Sequence, residues 1–337
     1  MEKIRFAIIG CGAIAARHAI HIKNYGELVA VCDLQEEKAL AFAHPFQVPY
    51  YLTMEELISS ESTIDVVVIC TPNGLHASQS VQALRQGHHV LVEKPMALTV
   101  GDCETMLQAA AAAGKQLFTV MQNRFNPPVQ AIKKLLDAGS FGQIYSVQVT
   151  CFWNRDQHYY QSSSWRGSKA MDGGILFTQF SHFIDLLYWF FGEVDTVMSV
   201  MDNMAHQSCS ELEDVGGVVL RFKSGIIGTI HFSVNSFQTN REGSIAISGE
   251  KGMVKIGGEY LNTIDYAEFQ DAVLPVLPAG ADVNDYGTYR GSMSNHDQVY
   301  QNLVATLQKG TPFYADTMDG LKTVAIIEKI YQAANSR

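Results

Sequence analysis

The amino-acid sequence predicts an α/β fold in two domains: a doubly wound parallel sheet, then an α+β domain with an open-faced mixed or antiparallel sheet. Roughly the first 120 residues alternate short runs of Val, Ile and Leu with helix-like segments, which is typical of parallel strands covered on both faces. Beyond residue 122, several apolar runs alternate with polar residues, which favours a sheet with one open face. The length of 337 residues suits two domains, which we place at residues 1–121 and 122–337.

Apolar periodicity predicts the elements in order. In the first domain we expect strands at residues 4–10, 28–32, 66–70, 89–93 and 117–121, and helices at residues 13–24, 36–43, 54–59, 75–85 and 100–113. The second domain opens with a helix that begins at the Pro127-Pro128 pair and ends near Gly139. Its strands are expected at residues 143–152, 194–200, 215–222, 226–234, 244–248 and 253–256, and two more helices at residues 297–308 and 317–334. Residues 154–172 are predicted as a long loop, which inside a compact domain suggests a functional segment.

Composition excludes some function classes. The net charge of −10 argues against nonspecific binding to nucleic acid or to an anionic membrane. No stretch of 18 apolar residues is present, and the first ten residues lack the long apolar segment of a secretory signal, so we expect neither a spanning helix nor a signal peptide. The six cysteines show no paired spacing, which favours free thiols in a reducing compartment. We therefore expect a cytoplasmic protein that binds neither nucleic acid nor membrane, and no metal ion.

A glycine-rich turn predicts a dinucleotide site. The segment GCGAIA at residues 10–15 follows the first strand and opens the first helix, where one glycine permits the turn and the next lets the backbone approach a pyrophosphate. Asp33 lies at the end of the second strand, the position of a carboxylate that binds the ribose of NAD, and no Arg or Lys follows at positions 34 or 35. The alternative is a glycine turn with a helix-capping Asp. The residues assigned to NAD are Gly10, Gly12, Ala13, Ile14 and Asp33.

Two further segments follow predicted strands of the first domain. The motif Thr71-Pro72-Asn73, with His76, comes after residues 66–70, and Glu93-Lys94-Pro95 comes at the end of residues 89–93. Ligands bind at the carboxyl ends of the strands in open parallel sheets. We therefore assign Thr71, Pro72, Asn73, His76, Glu93 and Lys94 to the cofactor site, although a lone Glu-Lys-Pro is also common in surface turns.

A polar stripe marks a predicted buried helix. Residues 172–192 are apolar nearly all round, with Asp172 as the expected N-cap and Gly192 as the expected end. The polar exceptions share one face at helical spacing; they are Thr178, Ser181, His182 and Asp185. Because buried polar groups need partners, this face meets either a ligand or a polar network. The plain alternative is a core histidine bonded to Asp185.

Together these motifs resemble the Gfo/Idh/MocA oxidoreductase family over essentially the whole chain. Within the family, residues 122–128, 163–167, 177–182 and 256–262 are similar to the group that oxidises the 3-hydroxyl of UDP-N-acetyl-glucosaminuronic acid in surface-polysaccharide (lipopolysaccharide) pathways. Many relatives carry Asp four residues before the histidine, where this chain has Thr178. The resemblance implies a Rossmann domain, NAD as cofactor and a carbohydrate alcohol as substrate.

Oxidising a secondary alcohol needs a base for the hydroxyl proton and an acceptor for the hydride, which is NAD. Histidine is the residue type whose ordinary pKa suits such a base, so His182 is the first candidate. Lys94 either stabilises the alkoxide or, with a lowered pKa, is itself the base. Asp185 either orients the imidazole of His182 or is a structural acid. These three residues are the predicted catalytic set.

An acidic nucleotide sugar needs cations and a stacking surface. Arginine binds phosphate or carboxylate through paired hydrogen bonds, and Trp165 can stack on a uracil ring or simply pack. The residues predicted for the substrate are Arg124, Arg155, His158, Trp165, Arg166, Thr178 and His182, with Tyr160 as a further lining residue. For each arginine the alternative is an ordinary surface side chain.

Other functions stay open on the sequence. The substrate could be a free sugar or an inositol-like polyol, or the protein could be a non-catalytic sensor of NAD and sugar on the same fold. NADH could be reoxidised in place by a second substrate such as 2-oxoglutarate. An open sheet face would pack well against a copy of itself, so we expect a homo-oligomer, and a tetramer in particular.

Overall fold

A computed structural model describes residues 2–287 and 289–335. It divides the chain into two compact units, one formed by Met1–Met121 with His296–Val324 and the other by Gln122–Asn295 with Ala325–Arg337. The predicted second domain, residues 122–337, therefore loses residues 296–324 to the first unit. The reason is a packing contact that periodicity does not show: Tyr300 meets the ring of Phe6 edge-on, with 5.5 Å between centroids.

The first unit contains a parallel sheet of six strands in the order β3-β2-β1-β4-β5-β6. The strands are β1 (Arg5–Ile9), β2 (Glu27–Cys32), β3 (Tyr50–Tyr51), β4 (Val66–Ile69), β5 (His89–Val92) and β6 (Leu117–Thr119). This confirms the doubly wound fold, whose strand order reverses between β1 and β4. The sequence analysis missed β3 because two half-buried tyrosines leave no apolar run.

Helices connect the strands of this sheet. They are α1 (Ala13–Tyr25), α2 (Glu36–Phe46), α3 (Met54–Ser60), α4 (His76–Arg85) and α5 (Val100–Ala113). A 3-10 turn at Asn73–Leu75 precedes α4, so the predicted helix began one residue early. Thr53 and Thr99 cap α3 and α5, because each hydroxyl accepts a backbone N–H of the first turn.

The second unit contains a mixed sheet of seven strands in the order β13-β12-β11-β7-β10-β9-β8. The strands are β7 (Ile144–Phe152), β8 (Val194–Asp202), β9 (Val215–Phe222), β10 (Ile227–Ser233), β11 (Glu242–Gly249), β12 (Gly252–Gly257) and β13 (Thr263–Phe269). Only β7 and β10 pair in parallel. Sequence reasoning missed β13, because this edge strand has no buried residue, and it also missed the hairpin of β14 (Val283–Asp285) and β15 (Arg290–Met293).

One face of this sheet is open. Buried and exposed residues alternate along β9 and β10, as the sequence predicted. The exposed rows are partly apolar: Met198 opposes Val219 across the β8–β9 pair, and the two are 65% and 41% exposed.

The remaining helices require two corrections. They are α6 (Pro127–Asp137), α7 (Gln157–Gln161), α8 (Ile175–Thr178), α9 (Ser181–Phe191), α10 (His296–Lys309) and α11 (Thr317–Asn335). The predicted loop 154–172 contains α7, which Asp156 caps. The predicted helix 172–192 is broken into α8 and α9; Gly174 precedes α8, so Asp172 is not the N-cap. Gly192 ends α9 as predicted, with φ +79°.

The six cysteines are free, as predicted, and five of them are buried. Among the described residues, no helix is long and apolar enough to cross a membrane.

Candidate active site

The glycine turn after β1 fits a dinucleotide. Gly10 has φ +92°, and a Cβ on it would lie 2.8 Å from the carbonyl oxygen of Cys70, so a larger residue is excluded there. Gly12 is exposed and its Cβ position is open. It is also the N-cap of α1 and makes no side-chain cap, which leaves the first N–H groups of the helix to receive a phosphate. Ala13 and Ile14 form that first turn.

Asp33 is tied to the same turn. Its carboxylate accepts the backbone N–H of Cys11 at 2.9 Å and that of Gln35 at 2.9 Å. The side chain is half-buried. A carboxylate can accept more than two hydrogen bonds, so Asp33 can hold the glycine turn and still accept a ribose hydroxyl.

His76 links the two other predicted cofactor segments. Its Nδ1 lies 2.7 Å from the carbonyl oxygen of Pro95, and its Nε2 lies 3.0 Å from that of Thr71. The ring is buried, and burial lowers its pKa. His76 was predicted to contact the cofactor, whereas in the structure its ring lies between the loops after β4 and β5, and a neutral imidazole there donates to one of the two carbonyl oxygens. In the chain between Thr71 and His76, Pro72 is half-buried and Asn73 is buried.

Lys94 follows a buried carboxylate. Glu93 accepts hydrogen bonds from Nε2 of His18 at 2.8 Å and Nε2 of His296 at 3.3 Å, and it also accepts the backbone N–H of Lys94 at 3.1 Å. Glu93 was predicted to contact the cofactor; in the structure its carboxylate faces the two histidines. Lys94 itself is half-buried.

In the second unit, His182 lies in the first turn of α9 and is buried. Its Nε2 lies 3.3 Å from the side-chain nitrogen of Gln122, which also donates to the hydroxyl of Ser292 at 3.1 Å. An amide NH₂ group only donates, so Nε2 of His182 is the acceptor in this contact. A neutral imidazole with a lone pair on Nε2 is the form that can take a proton from an alcohol. Sequence reasoning did not place Gln122 or Ser292 in the site, although Gln122 begins the segment 122–128 that carries the resemblance.

Asp185 pairs with Arg124. Nε of Arg124 donates to Oδ2 of Asp185 at 2.9 Å and Nη2 donates to Oδ1 at 2.6 Å, and both side chains are buried. The guanidinium also lies 5.0 Å from the ring centre of Trp189. Of the two roles left open for Asp185, this geometry favours the structural acid. The guanidinium that was predicted to bind the substrate donates to Asp185 through two of its nitrogens.

Thr178 donates its hydroxyl to the carboxylate of Asp172. Asp172 also accepts the backbone N–H of Gly167 at 2.8 Å, and burial raises its pKa. Thr178 thus fastens the end of α8 to the loop before it, and the break before α9 separates it from the helical stripe that contains His182.

Arg155 is an internal residue. It is 2% exposed, and it donates to the side chain of Gln179 at 2.8 Å and to the carbonyl oxygen of Arg290 at 3.2 Å. The rings of Tyr289 and Trp153 lie 4.9 and 5.3 Å from its guanidinium. Through these contacts Arg155 holds the segment 154–172 in the fold. This is a structural role, whereas the sequence predicted that Arg155 binds the substrate.

Arg166 is half-buried and stacks 4.1 Å above the ring of Tyr159. Its Nη2 donates to the hydroxyl of Tyr289 at 3.2 Å. Its buried Nε has no hydrogen-bond partner among the described residues. Trp165 lies beside it, with the ring 5.7 Å from the guanidinium. His158 is exposed on α7, and Tyr160 is buried.

The Arg124–Asp185 pair predicts a specific pattern of stability. Replacing one partner leaves a buried charge, so Asp185→Asn and Arg124→Met should each lower the free energy of unfolding by about 3–5 kcal/mol. The double variant Arg124→Met/Asp185→Leu should be more stable than either single variant, since it buries no charge. Urea unfolding measures all three.

The exposed pair Lys133–Asp137 on α6 is the control. Asp137→Asn should cost less than about 1 kcal/mol. A loss for Asp185→Asn no larger than that of Asp137→Asn would contradict the importance of the buried pair.

Family models and solved structures are similar to this chain over both of its predicted domains. Residues 4–121 match the sequence model of the Gfo/Idh/MocA oxidoreductase family with an NAD-binding Rossmann fold, and residues 129–255 match the GFO/IDH/MocA C-terminal domain. The WlbA dehydrogenase from Bordetella pertussis, solved in complex with NADH and UDP-GlcNAcA, is 34% identical with a TM-score of 0.90, covering 99% of this chain and 96% of that one.

Two further proteins are similar. The WlbA dehydrogenase from Chromobacterium violaceum, also solved with NADH and UDP-GlcNAcA, is 33% identical with a TM-score of 0.90, covering 99% of this chain and 94% of that one. Inositol 2-dehydrogenase from Salmonella typhimurium is 26% identical over 75% of this chain and 74% of its own length. The glycine turn and the full-length similarity confirm NAD as the cofactor, and the chain belongs to the Gfo/Idh/MocA family of NAD-dependent oxidoreductases.

Proposed function

We propose that this dehydrogenase oxidises the 3-hydroxyl of UDP-N-acetyl-glucosaminuronic acid to the 3-keto sugar in surface-polysaccharide biosynthesis. The observation that carries the proposal is full-length similarity, at a TM-score of 0.90, to two dehydrogenases whose structures hold NADH and UDP-GlcNAcA. We also propose that it works in the cytoplasm, in line with its six free thiols.

The proposed reaction divides the chemistry between named side chains. His182 takes the hydroxyl proton on Nε2, the nitrogen that the Gln122 amide marks as an acceptor. Lys94 supplies the positive charge that stabilises the alkoxide. NAD, held by the Gly10–Gly12 turn and Asp33, supplies the hydride acceptor when it is bound. Asp185 supports α9 through Arg124 and takes no proton.

The substrate's charge supports a role for Arg166. A UDP-sugar acid carries a diphosphate and a carboxylate, whereas the chain is net negative, so binding needs a local cation. Arg166 has a buried Nε donor with no partner among the described residues, and such a donor is costly unless an acceptor reaches it. Trp165 beside it offers a ring for stacking. We propose that these residues, with His158, bind the nucleotide sugar.

A second candidate substrate is a free polyol, which the similarity to inositol 2-dehydrogenase favours. The two are separated by following NADH absorbance with NAD and either UDP-N-acetyl-glucosaminuronic acid or myo-inositol. We expect turnover with the nucleotide sugar and none with myo-inositol.

Adding 2-oxoglutarate tests whether bound NADH is reoxidised in place, which would produce 2-hydroxyglutarate together with the keto sugar. Turnover of inositol alone would contradict the UDP-sugar proposal, and NAD binding without any turnover would favour a sensor.

Lys94 provides a test of the mechanism. Lys94→Met keeps the length of the side chain and removes its charge, so kcat should fall by about 1,000-fold, the scale of a lost electrostatic contact in a transition state. The dissociation constant of NADH, measured by fluorescence, should stay within about threefold. Lys115→Met, on the loop after α5, is the control and should turn over normally. Near-normal turnover of Lys94→Met would refute the assigned role.

The open sheet face supports a homo-oligomer, which we propose to be a tetramer. Placing charge on this apolar face, as in Met198→Glu/Val219→Glu, should reduce the mass measured by light scattering to that of a smaller assembly, because a buried unpaired carboxylate is costly. Val276→Glu is the control, since Val276 is fully exposed and lies outside the sheet. A wild-type protein with the mass of one chain would contradict the proposal.

A further inference from the structure

Three buried side chains from distant parts of the chain meet next to Lys94. They are His18 from α1, Glu93 from the end of β5 and His296 from the first residue of α10. His18 and His296 are fully buried, and Glu93 is 6% exposed. Both histidines contact the same oxygen of Glu93, at 2.8 and 3.3 Å through Nε2. The proposed reaction has so far assigned no role to this cluster.

The acceptor fixes where the protons lie. A carboxylate only accepts, so Nε2 of each histidine carries a hydrogen. Nδ1 of His18, at 2.8 Å from the hydroxyl of Tyr300, is then an acceptor, and Tyr300 donates to it. Burial lowers the pKa of His18. Burial alone would raise the pKa of Glu93, but the hydrogen bonds from the two histidines outweigh it and hold that pKa well below its ordinary value. The cluster is therefore an ionised carboxylate that accepts hydrogen bonds from two buried imidazoles.

The other oxygen of Glu93 contacts the backbone of the next residue, Lys94. Its Oε2 accepts the backbone N–H of Lys94 at 3.1 Å. One oxygen is thus anchored to α1 and α10, and the second fixes the peptide from which the Lys94 side chain leaves. A displacement of about 1 Å at a reacting group can cost about 100-fold in rate, so the hold on this peptide matters for a lysine that must meet a developing charge.

We propose that Glu93, anchored by His18 and His296, is a positioning residue for Lys94. The inference rests on the proposed role of Lys94 and adds residues that act through it. The three ligand atoms lie within 4.8 Å of one another, a spacing that a divalent cation could also bridge. The direct 2.8 Å contact between His18 and Glu93 favours the hydrogen bond over a bridging ion.

The experiment compares Glu93→Ala with Glu93→Gln. The Ala variant removes all three hydrogen bonds of the carboxylate, and kcat should fall by about 100-fold, while the dissociation constant of NADH and KM for the substrate stay within about threefold. Gln has the same length. Its oxygen can accept the Lys94 N–H, and its NH₂ group can donate to Nε2 of both His18 and His296 once both rings change tautomer, with His18 then donating through Nδ1 to Tyr300. We therefore expect Glu93→Gln to recover most of the lost kcat.

His21→Asn is the matched control. His21 stacks on His296, with 6.3 Å between ring centroids, and it makes no hydrogen bond to Glu93 among the described residues. Its kcat should match that of the wild type. Should Glu93→Ala fail to fold, His296→Asn removes one anchor and should lower kcat by about 10-fold with NADH affinity retained.

Three results would overturn the inference: a kcat of Glu93→Ala within about threefold of wild type, a Gln variant no better than Ala, or loss of wild-type activity when EDTA removes a bound metal. These outcomes are distinct from failure of the proposed function. If Lys94→Met is inactive and Glu93→Ala is fully active, only the positioning role falls; if Lys94→Met turns over normally, the role of Lys94 falls first.

Discussion

The burial of one charge, the carboxylate of Glu93, constrains the whole first unit. Moving a carboxylate out of water costs several kcal/mol unless hydrogen bonds replace its hydration. Its side-chain donors are His18 on α1 and His296 on α10, separated from Glu93 by 75 and 203 residues. This requirement, together with the packing of Tyr300, explains why residues 296–324 return to the parallel sheet instead of remaining with the domain that precedes them in sequence.

The second unit also buries a carboxylate, that of Asp185, and pairs it with Arg124. Asp185 lies on α9, a helix with eight of its eleven residues buried, so its carboxylate needs a full partner. The bidentate arginine donates to both oxygens, and the imidazole of His182, one turn earlier, contacts the neutral amide of Gln122. The ion pair therefore lets an acid lie in the same buried helix as His182, the proposed base.

The periodicity of apolar residues predicted the strands and helices that have a clear buried face. It missed the elements in which few residues are buried. β3 has two residues, and β13 has none buried. The break between α8 and α9 is also invisible in an apolar run. For the site, strand ends and helix spacing pointed to Asp33, Lys94 and His182. They could not supply partners such as Ser292, 170 residues from Gln122, because one sequence contains no signal for a contact between distant polar side chains.

Arg155 and Arg166 show why residue type alone was a poor guide to substrate binding. Both are arginines of one segment. Arg155 donates hydrogen bonds to Gln179, Asn154, Asn240 and Arg290. Arg166, in contrast, has a buried Nε donor with no partner among the described residues. A guanidinium whose nitrogens are all bonded within the fold has a structural role, and one with an unpaired donor can bind an anion. Two acids are likewise bonded within the fold: Glu93 to His18 and His296, and Asp185 to Arg124. Their neighbours Lys94 and His182 carry the proposed chemistry.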